Sequence, residues 1–174
     1  RVLFALAPAA LLALAACGSG TIESQLVPAR MVVFGDGLSD MGQAAGKRYT
    51  VNDTSKTWTE IVAANYGLTT LKASSAGGTN YATGNARVLL EPDAAGSTAT
   101  MTVKEQIDAF LAANTPAGND LFILQGGISD IVVQMQAHIA GSQTSDQMLA
   151  NVKQAGLDLA DQARRLKAAG ATHT

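Results

Sequence analysis

Three short segments hold most of the residues that could do chemistry: 35-GDGLSD-40, 80-NYATGNA-86 and 126-GGISD-130. Each lies after, or just beyond, an apolar strand-like run. Their turn residues therefore fall at the carboxyl edge of a sheet, where open α/β sheets bind ligands. Asp36, Asp40 and Asp130 could line one cleft there and hold a cation. The same aspartates can instead hold turns or cap helices. Asp36 suits the structural role, accepting the backbone N–H bonds of a tight Gly-Asp-Gly turn. The stretch 77-GGTNYATGN-85 would let a backbone approach a ligand closely, but it lacks the lysine of a phosphate-binding loop. One cysteine, Cys17, and two distant histidines, His138 and His173, make no zinc-ligand spacing. No metal site is predicted.

The elements that must position these segments follow from hydrophobic spacing. Arg30 to Phe34 reads as a first strand and Leu68 to Lys72 as a second. Leu121 to Leu124 is a third, fully apolar strand. Helices are expected over Lys56 to Tyr66, Thr102 to Asn114, Ile131 to Ala140 and Asp146 to Ala169. Gly67 and Gly170 are stop signals, and Ser145 is a candidate cap for the last helix. The connection from Gly35 to Thr54 is long for a compact domain, and such loops are often functional. Ala171 to Thr174 opens a fourth strand. Alternation of strands with helices predicts an α/β chain with a parallel sheet.

The three segments together resemble the first three signature blocks of the GDSL (SGNH) ester hydrolases, over roughly Met31 to Gly170. That resemblance implies a three-layer α/β/α sandwich with a parallel, flavodoxin-like sheet. It implies lipase or esterase chemistry by a serine acyl-enzyme route, with no cofactor. Such chemistry needs a nucleophile, a base, a group orienting that base, and donors aimed at the oxyanion. By resemblance, the nucleophile position is Gly37, where the family has serine. Gly84 takes the place of the oxyanion-hole glycine. Ser129 takes that of the asparagine that donates the remaining oxyanion bond; it could equally cap the helix before Asp130. Ser39, two positions on from Gly37, reads as a polar residue of the first helical turn and not as a displaced nucleophile. The family's Asp-x-x-His block is absent from the chain, and neither His138 nor His173 sits where that block would lie. The expectation is a hydrolase domain, C-terminally incomplete and inactive as written. The alternative is a non-catalytic envelope binding protein that uses the remnant cleft. The ligand expected in either case is a small-molecule, lipid or acetylated-glycan ester.

The chain's bulk properties narrow its partners. With 174 residues, it has the length of one domain, and a 47% apolar content allows a substantial core. A formal charge of -2, with no Lys/Arg run, leaves no electrostatic footprint for nucleic acid. Residues 1–16 combine Arg1 with the apolar run VLFALAPAALLALAA, which reads as a signal peptide. Leu14-Ala15-Ala16-Cys17 resembles a bacterial lipoprotein signal, which implies lipidation at Cys17 and a polar tether over 17–29. The expected location is therefore the cell envelope: secreted, and held to the outer membrane by the lipid or released into the periplasm or outside. Residues 30–174 are expected to form the N-terminal part of one SGNH-like domain.

Overall fold

Met31, Val32, Val33 and Phe34 are all buried, so this strand presents side chains to an apolar layer on both faces. In a computed structural model, residues 26–51, 53–69 and 71–174 are described. The expected signal segment and the lipidation site Cys17 lie outside the described residues. Strand β1 (Arg30–Phe34) pairs in parallel with β2 (Asp120–Leu124), Arg30 opposite Asp120 and Phe34 opposite Leu124. Four α-helices complete the described architecture: α1 (Trp58–Asn65), α2 (Val103–Ala113), α3 (Ile128–Ile139) and α4 (Ser145–Ala168). The fold is mixed α/β with a two-stranded parallel sheet.

Alternate residues of β1 enter two different cores. Val32 and Phe34 join Val103, Ile107 and Phe110 of α2, Phe122 of β2 and Leu166 of α4. Met31 and Val33 join Ala63 of α1 and Ala82 on the other side. A period of two along the strand produces this division. Each fully buried side chain of this size stabilises the fold by about 1.5–3 kcal/mol. The Phe34 ring meets those of Tyr81, Phe110 and Phe122 at centroid distances of 5.6, 5.7 and 6.4 Å.

Among the described residues of 68–72, where a strand is expected, none belongs to a strand. The free edge of β1 is taken instead by residues 79–83. Val33 N–H donates to Thr79 O (2.9 Å), Tyr81 N–H to Val33 O (2.7 Å) and Thr83 N–H to Gly35 O (3.0 Å). Just after that segment the chain pairs with residue 80: Lys72 O accepts Asn80 N–H (2.9 Å), and Ala73 bridges Asn80 in parallel. On the far side of β2, the last residues do begin to pair. Leu121 bridges His173 in parallel, and Phe122 N–H donates to His173 O (2.9 Å).

The helix ends also differ from expectation in instructive ways. Thr144, not Ser145, caps α4: its Oγ1 accepts the Gln147 N–H while Gln147 Oε1 accepts the Thr144 N–H. That reciprocal box requires the residue three positions before Gln147. Helix α3 starts at Ile128, three residues earlier than its apolar spacing indicates. Gly127 supplies the left-handed turn (φ 103°) that aims the chain into it. Ser129 is therefore a first-turn residue and not the cap.

At the amino end of the sheet, Arg30 and Asp120 fix the register. Arg30 Nε donates to Asp120 Oδ1 (3.0 Å) and Nη2 to Oδ2 (2.5 Å). Burial pushes the Asp120 carboxyl up. The Arg30 hydrogen bonds, the Ala117 N–H and the Arg30 charge outweigh it and hold the group below the usual carboxylate range. A carboxylate held below its unfolded value of about 3.9 contributes stability that is complete above that value and lost as pH falls through the lower folded one. Asp120→Asn is expected to lower the unfolding free energy by about 1–3 kcal/mol at neutral pH. The gap to wild type should narrow below about pH 4. Urea melts at neutral and acid pH check this; an equal gap at both contradicts the assignment.

Candidate functional site

The first loop begins with a glycine that could be nothing else. A Cβ on Gly35 would lie 2.7 Å from Gln125 O and 2.9 Å from Gln125 Oε1. The fully buried side-chain amide of Gln106 on α2 grips this peptide from both sides. Its Oε1 accepts Gly35 N–H (2.8 Å), and its Nε2 donates to Gly35 O (2.9 Å). A carboxamide offers one donor side and one acceptor side, so it pairs with backbone as another strand would. The exit of β1 is thereby tied to α2.

Two buried carboxylates then organise the edge of the sheet. Asp36 Oδ1 accepts Leu38 N–H (3.1 Å) within its own turn. Asp36 Oδ2 accepts Ile128 N–H (3.3 Å) at the start of α3, which joins the first loop to the third. That position also places its charge at the positive end of the helix dipole. Asp40 is wholly buried. Its Oδ1 accepts Gly42 N–H (2.7 Å) and Gln43 N–H (3.0 Å), and its Oδ2 accepts Gly84 N–H (2.7 Å). Asn80 adds a second tie between the first and second loops, donating through Nδ2 to Ser39 O (2.8 Å). Asn80 Oδ1 accepts Ala82 N–H (3.0 Å).

The three loops meet around an open cleft of about 220 Å³. Gly37, Ser129, Asn85 and Tyr49 are among the residues lining it. Tyr49 comes from the long connection after the first loop, and its ring crosses the corner between Gly37 and Gly84. A Cβ on Gly84 would lie 1.9 Å from Tyr49 Cε2; one on Gly37 would lie 3.3 Å from Tyr49 Cβ. Asn85, in the left-handed region at φ 64°, donates through Nδ2 to the Tyr49 hydroxyl (3.1 Å). Gly37 N–H and Ser129 Oγ carry no hydrogen bond to the described residues. Among the described residues lining the cleft, Gly37 thus offers a backbone N–H and Ser129 a hydroxyl, while the Tyr49 hydroxyl accepts from Asn85. Gly84 N–H is spent on Asp40.

The remaining candidates have other occupations. Ser39 is fully buried, and its Oγ donates to Gln125 Oε1 (3.2 Å). Asp130 is buried against Arg87: Arg87 Nε donates to its Oδ1 (3.0 Å), and Val88 N–H donates to its Oδ2 (2.9 Å). Among the described residues, no group of three His, Cys, Asp or Glu side chains is gathered for a metal ion. His173 pairs opposite Leu121, four residues before Gln125, so it lies roughly 13 Å down the strand from the cleft edge. His138 is ten residues along α3 from Ile128, roughly 15 Å away at the helical rise. Its Nδ1 contacts Gln143 O. Neither imidazole reaches Gly37.

Compared with family models, with curated proteins and with solved structures, the chain matches none.

Four residues that organise this site escape the sequence reading. Gln106, Gln125 and Arg87 are polar residues whose partners lie more than forty positions away. Tyr49 sits in a loop with no periodicity to place it. The one available signal is Gln106 itself, a carboxamide beside Ile107 on the apolar side of α2, where an unpaired amide would be costly.

The Tyr49–Gly84 contact predicts a coupled pair. Gly84→Ala alone is expected to destabilise by about 1–3 kcal/mol through overpacking. Tyr49→Ala, at an exposed ring, should cost less. The double variant should recover most of the Gly84→Ala loss, because the ring that meets the new methyl is gone. Additive losses in a denaturation cycle would contradict the contact.

Proposed function

We propose that this chain carries the scaffold of a GDSL (SGNH) ester hydrolase, its sheet belonging to a three-layer α/β/α sandwich of flavodoxin-like order. The observation that carries the reading is the joining of the three sequence blocks into one hydrogen-bonded edge. Asp36 links the first to the third, and Asp40 links the first to the second. The roles follow by position. Gly37 stands at the nucleophile, Gly84 and Ser129 at the oxyanion donors, and Asp36 is the turn's structural acceptor.

As written, the chain performs no efficient hydrolysis. Gly37 has no atom to attack an acyl carbon. No histidine among the described residues is within reach to act as base. Gly84 N–H is already bonded to Asp40. Loss of triad members costs on the order of 10⁴–10⁶ in turnover. Assayed on p-nitrophenyl acetate, the protein is expected to match the buffer rate, and Gly37→Ser by itself is expected to leave that rate unchanged for want of a base. Carried on through a following Asp-x-x-His block, the same substitution should gain turnover. Efficient hydrolysis by the unaltered chain would overturn this reading.

One observation favours the binding alternative. Gly37 N–H and the Ser129 hydroxyl remain unpaired on residues that line the cleft, and both can donate to a carbonyl or carboxylate oxygen. A small ester or its acid, including an acetylated glycan, is the ligand that fits those two donors. The lipid anchor at Cys17 belongs to the same proposal and places the cleft at the cell envelope. Incorporation of labelled palmitate into wild type, lost in Cys17→Ser, is the expected result.

A further inference from the structure

A second concave site lies across α3 from the cleft, walled by the 87–90 segment, α3 and α4. It encloses about 150 Å³. Its floor is the Arg87–Asp130 pair, whose side chains are 6% and 3% exposed. Burial this deep normally requires a guanidinium to spend its donors. Arg87 spends few. Nε bonds Asp130, and Nη1 makes a long bond to Pro92 O (3.4 Å). Nη2 has no acceptor among the described residues. No wholly buried side-chain nitrogen or oxygen among them lacks a partner. Nη2 is therefore not wholly buried, and Arg87 is one of the residues that line the hollow.

The walls carry the complementary groups. Asn151 Nδ2 donates to Gln134 Oε1 (2.9 Å) and to Gln143 Oε1 (3.1 Å); among the described residues the Gln134 amino group and the Asn151 carbonyl have no partner. Gln154 Nε2 donates to Asp158 Oδ1 (2.8 Å), which leaves the Gln154 carbonyl and Asp158 Oδ2 unpaired. Donors and acceptors thus mix around one small space, with Leu90 at its rim. The charges decide against an ion. Asp130 and Asp158 outnumber Arg87, which disfavours an anion. Both Asp130 oxygens are taken by Arg87 and Val88, which leaves too few ligands for a cation. What remains is a neutral molecule whose groups both donate and accept, and hydroxyls do this. At about 30 Å³ per water the space holds roughly five waters, the bulk of a single ring and not of a chain.

We propose that this hollow is a binding site for one neutral saccharide ring, separate from the cleft and independent of any ester chemistry there. Titration of isotope-labelled protein with methyl β-D-glucopyranoside tests it, followed by the side-chain amide NMR signals. Saturable shifts of the Gln134, Asn151 and Gln154 amides are expected, with the Gly37 and Ser129 signals unmoved. Gln154→Ala and Asn151→Leu, both at exposed positions on α4, should each weaken binding about tenfold or more while the remaining spectrum stays that of the folded protein. Three outcomes overturn the proposal: no saturable shift, equal shifts with glycerol as an adventitious additive, or binding of sulfate in place of the glucoside. Shifts confined to the Gly37 and Ser129 signals would also overturn it, while leaving the reading of the cleft intact.

Discussion

The Asp40 carboxylate is the constraint on which the site's geometry rests. It is wholly buried, it has no cation beside it, and backbone N–H groups alone hold it. An isolated ionised carboxylate in a protein interior is very costly unless its hydrogen-bonding capacity is met. Here Gly42, Gln43 and Gly84 meet it, drawn from two loops more than forty residues apart. Any movement of the second loop away from the first would strip an acceptor bond from a buried charge. The two loops are therefore one mechanical unit, and Asp36 extends that unit to α3 through the Ile128 N–H.

That arrangement has a chemical consequence. A backbone N–H can stabilise an oxyanion only if it points at the place where negative charge develops. Gly84 N–H points at a side-chain oxygen of Asp40 instead. For Gly84 to serve an external oxygen, Asp40 would have to release its N–H or share it, and one hydrogen shared between two acceptors makes two weaker bonds. The unspent donors are found elsewhere, on Gly37 and Ser129, with the Tyr49 ring spanning the corner between Gly37 and Gly84.

Legibility in the sequence follows the range of each interaction. Strands β1 and β2 and helix α2 were readable because burial on a strand or helix imposes a local period. The start of the fourth strand was readable for the same reason, and His173 does pair with β2. The second strand misled. Leu68 to Lys72 has the composition of a strand, but residues 79–83 take the β1 edge. Competition for one edge cannot be seen within either segment alone. The convergence of Asp36, Gly37 and Ser129 was visible, because turn residues after strands must share an edge of the sheet. Tyr49, Gln106 and Arg87 were not visible, since each acts through one partner distant in the chain.

Gly37 has a different standing from its neighbours. It contributes none of the hydrogen bonds that join the three loops; on the first loop those come from Gly35 O, Asp36, Ser39 O and Asp40. The atoms nearest a Cβ placed there belong to Tyr49, its Cβ at 3.3 Å and its ring from 3.5 Å, a separation that a small shift relieves. The frame is thus indifferent to whether position 37 carries a hydroxyl. Architecture and the chemistry proposed for this turn separate at a single residue: none of the hydrogen bonds that build the turn or join it to its neighbours needs a side chain at position 37.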